Sequence, residues 1–430
     1  MMASSAIIAH SRTLAGRSLA AVFMPLHAVL SAPVYLFLAT LTVMLFRPPD
    51  IALHHLDRIA FAILVFTTVL RALWLRLPLV RSWSLTVPML ALAVLATCSA
   101  AQQPYNPQTW SLLFAEFIVP FVLFHLAATV FDDSASRRIF EIFALIVLGY
   151  LILQAFAFLV GAKWLILPRY ILDGDLGIHI DRARGPFLQA VANGVTLIIL
   201  GLVAFDCYRR RAFNRATLFL LCFTPIAIFA TLTRAVWIAA VASLLGVTAQ
   251  FRDSHVRRLC AVALVALPIG LIILLSVPAW RETAVDRASE SGPVEIRAAV
   301  YDASWELIRE RPLLGWGQNQ MPAEVARRMS DYDLEAYWAH NTYLEILVEH
   351  GLVGLALYGW IVIALFRLSR GKCHSELVSF TAIWPVVLGA YAFNAVFVVM
   401  NYQFVNALLY TIAGIVAATA RASNSPQHVR

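Results

Sequence analysis

Charge is what this 430-residue chain has least of: Asp, Glu, Lys and Arg together make up 13% of it, against 61% hydrophobic residues. A water-soluble protein of this length has too little interior to hide that much apolar surface, so the bilayer is the natural solvent. Lysine is nearly absent, with only Lys163 and Lys372, and the formal net charge of +8 is carried by arginine. A basic balance of this kind fits membrane topology better than nucleic-acid binding. Five cysteines show no CxxC spacing, which argues against a disulfide framework or a metal cluster. No small-residue cleavage site follows a short apolar core near the N-terminus, so the first long apolar run is expected to be a retained span.

What is present is a series of apolar runs long enough to cross a membrane. They are continuous, not alternating, so helices are expected and a β-barrel is not. Twelve spans are placed at about 25–46, 59–75, 84–101, 111–131, 139–161, 187–206, 216–232, 235–250, 259–279, 346–366, 378–399 and 402–420. The chain therefore divides into spans one to nine (1–279), a large outer loop (280–345), and spans ten to twelve with a tail (346–430). Most Lys and Arg, including Arg71, Arg137, Arg209, Arg257 and Arg367, then fall on one side, which puts both termini in the cytoplasm. Arginines on the other side oppose that bias. They gather in the stretch 163–184, at Arg234, and in the long loop.

Within the loop, "EIRAAVYDASWELIRERP" repeats apolar residues at Ile296, Val300, Ala303 and Leu307. This is helical spacing, stopped by Pro312, and it suggests an amphipathic helix lying on the outer leaflet. "RPLLGWGQNQM" reads as a turn-rich connector in which Gly315 and Gly317 permit a tight backbone.

Four polar positions stand out. Arg184, in "RARGPFLQAVANG", is either a snorkelling arginine at a helix mouth or a fixed guanidinium aimed into a cavity lined by Gln189 and Asn193. Arg234, in "TLTRAVWIAA", either marks a tight turn or meets an external anion, because no other charge lies nearby in sequence. Arg297 is either a solvated charge on the loop helix or a third anion contact. His340, in "AHNTYLEILVEHG", is either an interfacial anchor or a general base, since imidazole accepts a proton near neutral pH. Guanidinium groups bind phosphate oxygens bidentately and stay charged, so the set favours a phosphate or pyrophosphate leaving group. On the outer side D-G-D at 173–175 is only a weak cation signal.

In sequence order, "RGPFLQAVANG", "TLTRAVWIAA", "EIRAAVYDASWELIRERPLLGWGQNQM" and "HNTYLEILVEHGLVGLALYG" resemble the O-antigen ligase and polymerase superfamily of membrane enzymes. The resemblance implies an all-α, polytopic, GT-C-like glycosyltransferase in the bacterial inner membrane, with a periplasmic site and no cofactor. It implies glycan transfer from an undecaprenyl-pyrophosphate donor to a sugar hydroxyl of a lipid A-core acceptor, independent of metal. Arg184, Arg234 and Arg297 would bind pyrophosphate, His340 would act on the acceptor hydroxyl, and Gln189 and Asn341 would contact substrate. Thr233 and Ala235 depart from the Ser and Gly that often flank the second arginine in that family. A polymerase using the same carrier is the nearest alternative. A lipid-linked glycan transporter is another, disfavoured because no repeated halves are visible.

Overall fold

The computed structural model describes residues 33–47, 55–78, 82–178, 180–251, 292–329, 337–370 and 380–422, with isolated positions between 253 and 281. Among them are helices and no strands. The helices are α1 (Pro33–Leu45), α2 (His55–Trp74), α3 (Trp83–Ala101), α4 (Pro107–Val130), α5 (Ser134–Leu159), α6 (Ala190–Arg209), α7 (Asn214–Ala230) and α8 (Arg234–Gln250). They continue with α9 (Gly292–Glu310), α10 (Met321–Ala326), α11 (Thr342–Arg367), α12 (Trp384–Asn394) and α13 (Gln403–Ala422). A helix overlaps each expected span except 259–279, which lies largely outside the described residues. Among the described residues six helices are long and apolar enough to cross a membrane: α3, α4, α5, α6, α11 and α13.

Their starts follow local chemistry. Asn106 precedes Pro107 and caps α4 by accepting from the Gln108 N–H at 2.9 Å. Asp133 caps α5 through the Ser136 N–H at 2.8 Å. Helix α6 is apolar on every side, as a helix must be when surrounded by others, and α13 joins it at the centre. Gly414 lets α13 close on α4, since a Cβ there would meet the Phe124 carbonyl.

At one end of the bundle a polar knot ties α5, α6 and the approach to α12. The buried Asp206 carboxylate accepts from Arg209 (2.9 Å), Arg210 (2.8 Å) and the Phe380 N–H (3.1 Å), while Arg210 also reaches Glu141 at 2.7 Å. Truncating one member of a buried charge network strands the others. Asp206→Ala is expected to cost about 3 kcal/mol of stability, read as a lower unfolding midpoint of the detergent-purified protein.

The opposite end carries the loops. There Arg47, after α1, donates to Gln403 Oε1 at the start of α13 and to Ser111 Oγ in α4, both at 3.1 Å.

Two expectations change. The run 378–399 is not one helix: α12 spans Trp384–Asn394, and 395–402 is irregular. The reason is a long-range pair of hydrogen bonds: Thr342 Oγ1, on α11, donates to the Val398 carbonyl and accepts the Met400 N–H, each at 2.9 Å. The loop helix, α9, does form, but Val300, Ala303 and Leu307 do not face an open leaflet. They pack with Met321, Val325 and Val348 in a small core of their own shared by α9, α10 and α11.

Candidate functional site

Arg184 is buried, and its guanidinium is turned into its own loop. Its Nε and Nη2 donate to the Ile171 carbonyl at 3.0 and 2.8 Å, Nη1 donates to Leu176 at 2.5 Å, and Nη2 also donates to the Asp173 carbonyl. Burial lowers its pKa, with the Asp173 charge opposing. The side chain therefore staples 171–176 instead of lining a cavity. Gln189 caps α6 by accepting from the Val191 N–H at 3.0 Å, and Asn193 Nδ2 donates to the Ala183 carbonyl at 2.7 Å. Both brace the arginine loop. Gly185 fits there because its φ is +57° and a Cβ would collide with Asn193.

That loop leans on the second arginine's turn through the Ala183 N–H, which bonds the Ala230 carbonyl at 3.0 Å. Leu232 adopts φ +45°, and Thr233 Oγ1 donates to the Thr231 carbonyl at 2.8 Å. Phe229 stacks on Trp237 at 5.0 Å, locking the α7–α8 corner. Arg234 is the first residue of the 17-residue α8 and is exposed. Its charge therefore sits at the positive end of the helix dipole, an arrangement that favours anions.

The third arginine and the histidine form the other half. Arg297 is exposed on α9, just before the buried Val300. His340 is exposed and sits at φ +48°, a conformation costly for a residue with a Cβ. Its neighbours hold it there. The Asn341 side chain caps α11 by accepting the Tyr343 and Leu344 N–H groups at 3.0 and 3.2 Å, and the Thr342 N–H bonds the Ala395 carbonyl at 2.8 Å. Surrounding protein first, and then the Arg297 charge, push the imidazole pKa below its ordinary value. A neutral imidazole at neutral pH can accept a proton.

The structure thus brings Arg297 to His340, and the Arg184 loop to the Arg234 turn. Tyr402 stands between the halves: its phenol lies beside Gln189 at the α6 start and near the Glu345 side chain on α11. Asn341 serves as a cap, and Gln189 serves as a cap that also meets Tyr402.

Beneath the site lies a network absent from the sequence reading. The connector 312–321 is threaded into a break in α11. The Trp316 and Gly317 N–H groups donate to Val348 and Glu349 carbonyls at 2.9 and 2.8 Å, and the Leu352 N–H donates to the Pro312 carbonyl at 2.8 Å. Gln318 Nε2 donates to Glu116 Oε2 at 3.0 Å, and Gln318 Oε1 meets His350 Nε2 at 3.1 Å. The Glu349 carboxyl accepts from the backbone N–H of Met321 at 3.4 Å. Glu116 belongs to a π-turn, Phe114–Ile118, inside α4. The clue in sequence was acids inside apolar runs, "FAEFIVP" and "YLEILVEHG", since ionisable groups at membrane depth are rarely idle.

Apolar helices long enough to cross a bilayer, with a polar, arginine-bearing loop folded over one end, define a multi-pass membrane protein. A family model described as O-antigen ligase matches residues 216–359, and this match supports the O-antigen ligase superfamily for the chain. The matched region contains Arg234, Arg297, His340 and Asn341, while Arg184 and Gln189 precede it. A function of the O-antigen ligase or polymerase type follows. A search of the curated proteins finds no match.

Proposed function

We propose that the protein is an O-antigen ligase of the bacterial inner membrane. It crosses the bilayer twelve times with both termini cytoplasmic, and it works at the periplasmic face. Donor and acceptor are an undecaprenyl-pyrophosphate-linked glycan and a lipid A-core sugar. The acceptor hydroxyl oxygen attacks the donor's anomeric carbon as His340 takes its proton. The anomeric carbon–oxygen bond breaks, and the pyrophosphate leaves with the electron pair, its charge met by Arg234 and Arg297. Arg184 keeps the loop beside Arg234 in shape. The observation that supports this reading is His340 itself, a histidine whose imidazole pKa is lowered first by desolvation and then by the nearby Arg297 charge.

The test is transfer by the purified protein with lipid-linked donor and lipid A-core acceptor, with and without chelator. Core-linked product that is insensitive to chelator supports the ligase. Product that grows only on the carrier identifies a polymerase instead, and no product from an inserted, folded protein removes the assignment. Within that assay Arg297→Lys keeps the charge but loses the planar fork. Charge-assisted hydrogen bonds contribute about 1.5–3 kcal/mol, so kcat/KM is expected to fall roughly ten- to a hundredfold.

A further inference from the structure

A separate concavity, of about 610 Å³, opens on the flank between α2 and α4. Its long wall is a single stripe of α2: Arg58, Phe61, Val65, Phe66, Val69 and Leu73. Apart from the adjacent Val65 and Phe66 these recur at three- and four-residue steps, and they cover about 22 Å at the helical rise of about 1.5 Å per residue. Phe114 and Val119 of α4 face them. Phe66 and Leu73 are each 67% exposed, as residues against hydrocarbon should be.

The groove is polar only at one end. Arg47 sits there with Arg58 and Asp57. The Arg47 guanidinium is held by Gln403 and Ser111, and its Nε faces the Asp57 carboxylate at 3.5 Å. Asp57 is 2% exposed, whereas Arg58 is exposed. Among the lining residues two guanidinium charges therefore meet one carboxylate, leaving a single excess positive charge at the mouth of an apolar slot. That balance suits a headgroup with one negative charge. A diphosphate would bring at least one charge too many.

We propose that this groove seats an anionic glycerophospholipid with one net negative charge, its acyl chain along α2 and its phosphodiester at Arg47 and Arg58. The seat adjoins the loop-bearing end directly. Gln403, which fixes Arg47, follows Tyr402, and the π-turn that offers Phe114 to the groove offers Glu116 to Gln318. The proposal does not depend on the transfer reaction.

The full chain is placed in nanodiscs of phosphatidylcholine with a minority of phosphatidylglycerol. A photo-cross-linker, p-benzoylphenylalanine, replaces Phe66 or, as a bulk reporter, Ile146, which is 65% exposed on α5. Lipid adducts are identified by mass spectrometry. Adducts at position 66 are expected to be enriched several-fold in phosphatidylglycerol over those at position 146, and Arg58→Gln should remove the enrichment. Adducts at 66 that mirror the bulk ratio overturn the proposal, as does enrichment that survives Arg58→Gln. Cross-linking of position 66 mainly to the chain itself also overturns it and names a segment of the protein as the occupant.

Discussion

His340→Ala is expected to abolish measurable transfer while the protein still inserts and keeps its unfolding midpoint. Removing a positioned general base costs about 10²–10⁴-fold. The side chain is exposed, so little packing is lost with it. Alanine at φ +48° carries the same backbone strain as histidine, so the fold is not expected to shift. His340→Gly is the informative companion. It relieves that strain and should be at least as stable as the parent, yet equally inactive. Transfer retained by both variants would remove the imidazole from the reaction.

The pH profile separates a base from a mere contact. Protein bulk and the Arg297 charge both disfavour the imidazolium, so the base form is already dominant at neutral pH. Activity should therefore rise with pH through a limb below the ordinary histidine range and then level off. Arg297→Gln removes one of the two causes, so the imidazole pKa climbs and the limb moves to higher pH. A profile that stays where it was would mean that the limb belongs to another group.

Much of the frame was legible from period and charge alone. The α9 helix and its stop at Pro312 follow from apolar spacing, and α6 follows from an uninterrupted apolar run. What could not be read was the partner of each polar residue. Arg184 stands out in sequence, but its use as a staple depends on where the carbonyls of 171, 173 and 176 come to rest. Glu116 looks like a blemish in α4 until Gln318, some two hundred residues away, arrives beside it. The irregular stretch after α12 is apolar, so hydropathy reads straight through it. Only Thr342, from another helix, shows why the backbone breaks there. For Arg184 and Glu116 the local pattern placed the residue and a contact made elsewhere decided its role, whereas after α12 the contact from Thr342 decided the element itself.

Gly351→Ala should be among the most damaging single-methyl changes at the described glycines. "EHG" looks like the end of a helix, yet α11 continues past it with Gly351 at φ +64°. That one residue opens the helix, and the connector enters the gap. A Cβ at 351 would overlap the Leu313 carbonyl and the Leu314 nitrogen. Facing it, Gly315 at φ +69° leaves no room for a Cβ against the Glu349 carbonyl. Neither side can yield, because the opposing atoms are backbone already bonded across the gap through Trp316, Gly317, Leu352 and Val353. The strain of the conformation alone is of order 1–3 kcal/mol. Breaking the pairing would also leave backbone groups unsatisfied where water is scarce. The connector carries Gln318 onto Glu116 and His350 and leads from α9 to α10, so its displacement moves Arg297 away from His340. We expect Gly351→Ala to lose transfer and to lower the unfolding midpoint together, whereas Gly359→Ala, on the same helix with open space around it, should change neither. Loss of transfer at an unchanged midpoint would show that the break acts on the reaction and not on the fold. A fully active Gly351→Ala would mean that the connector does not set the geometry of the site.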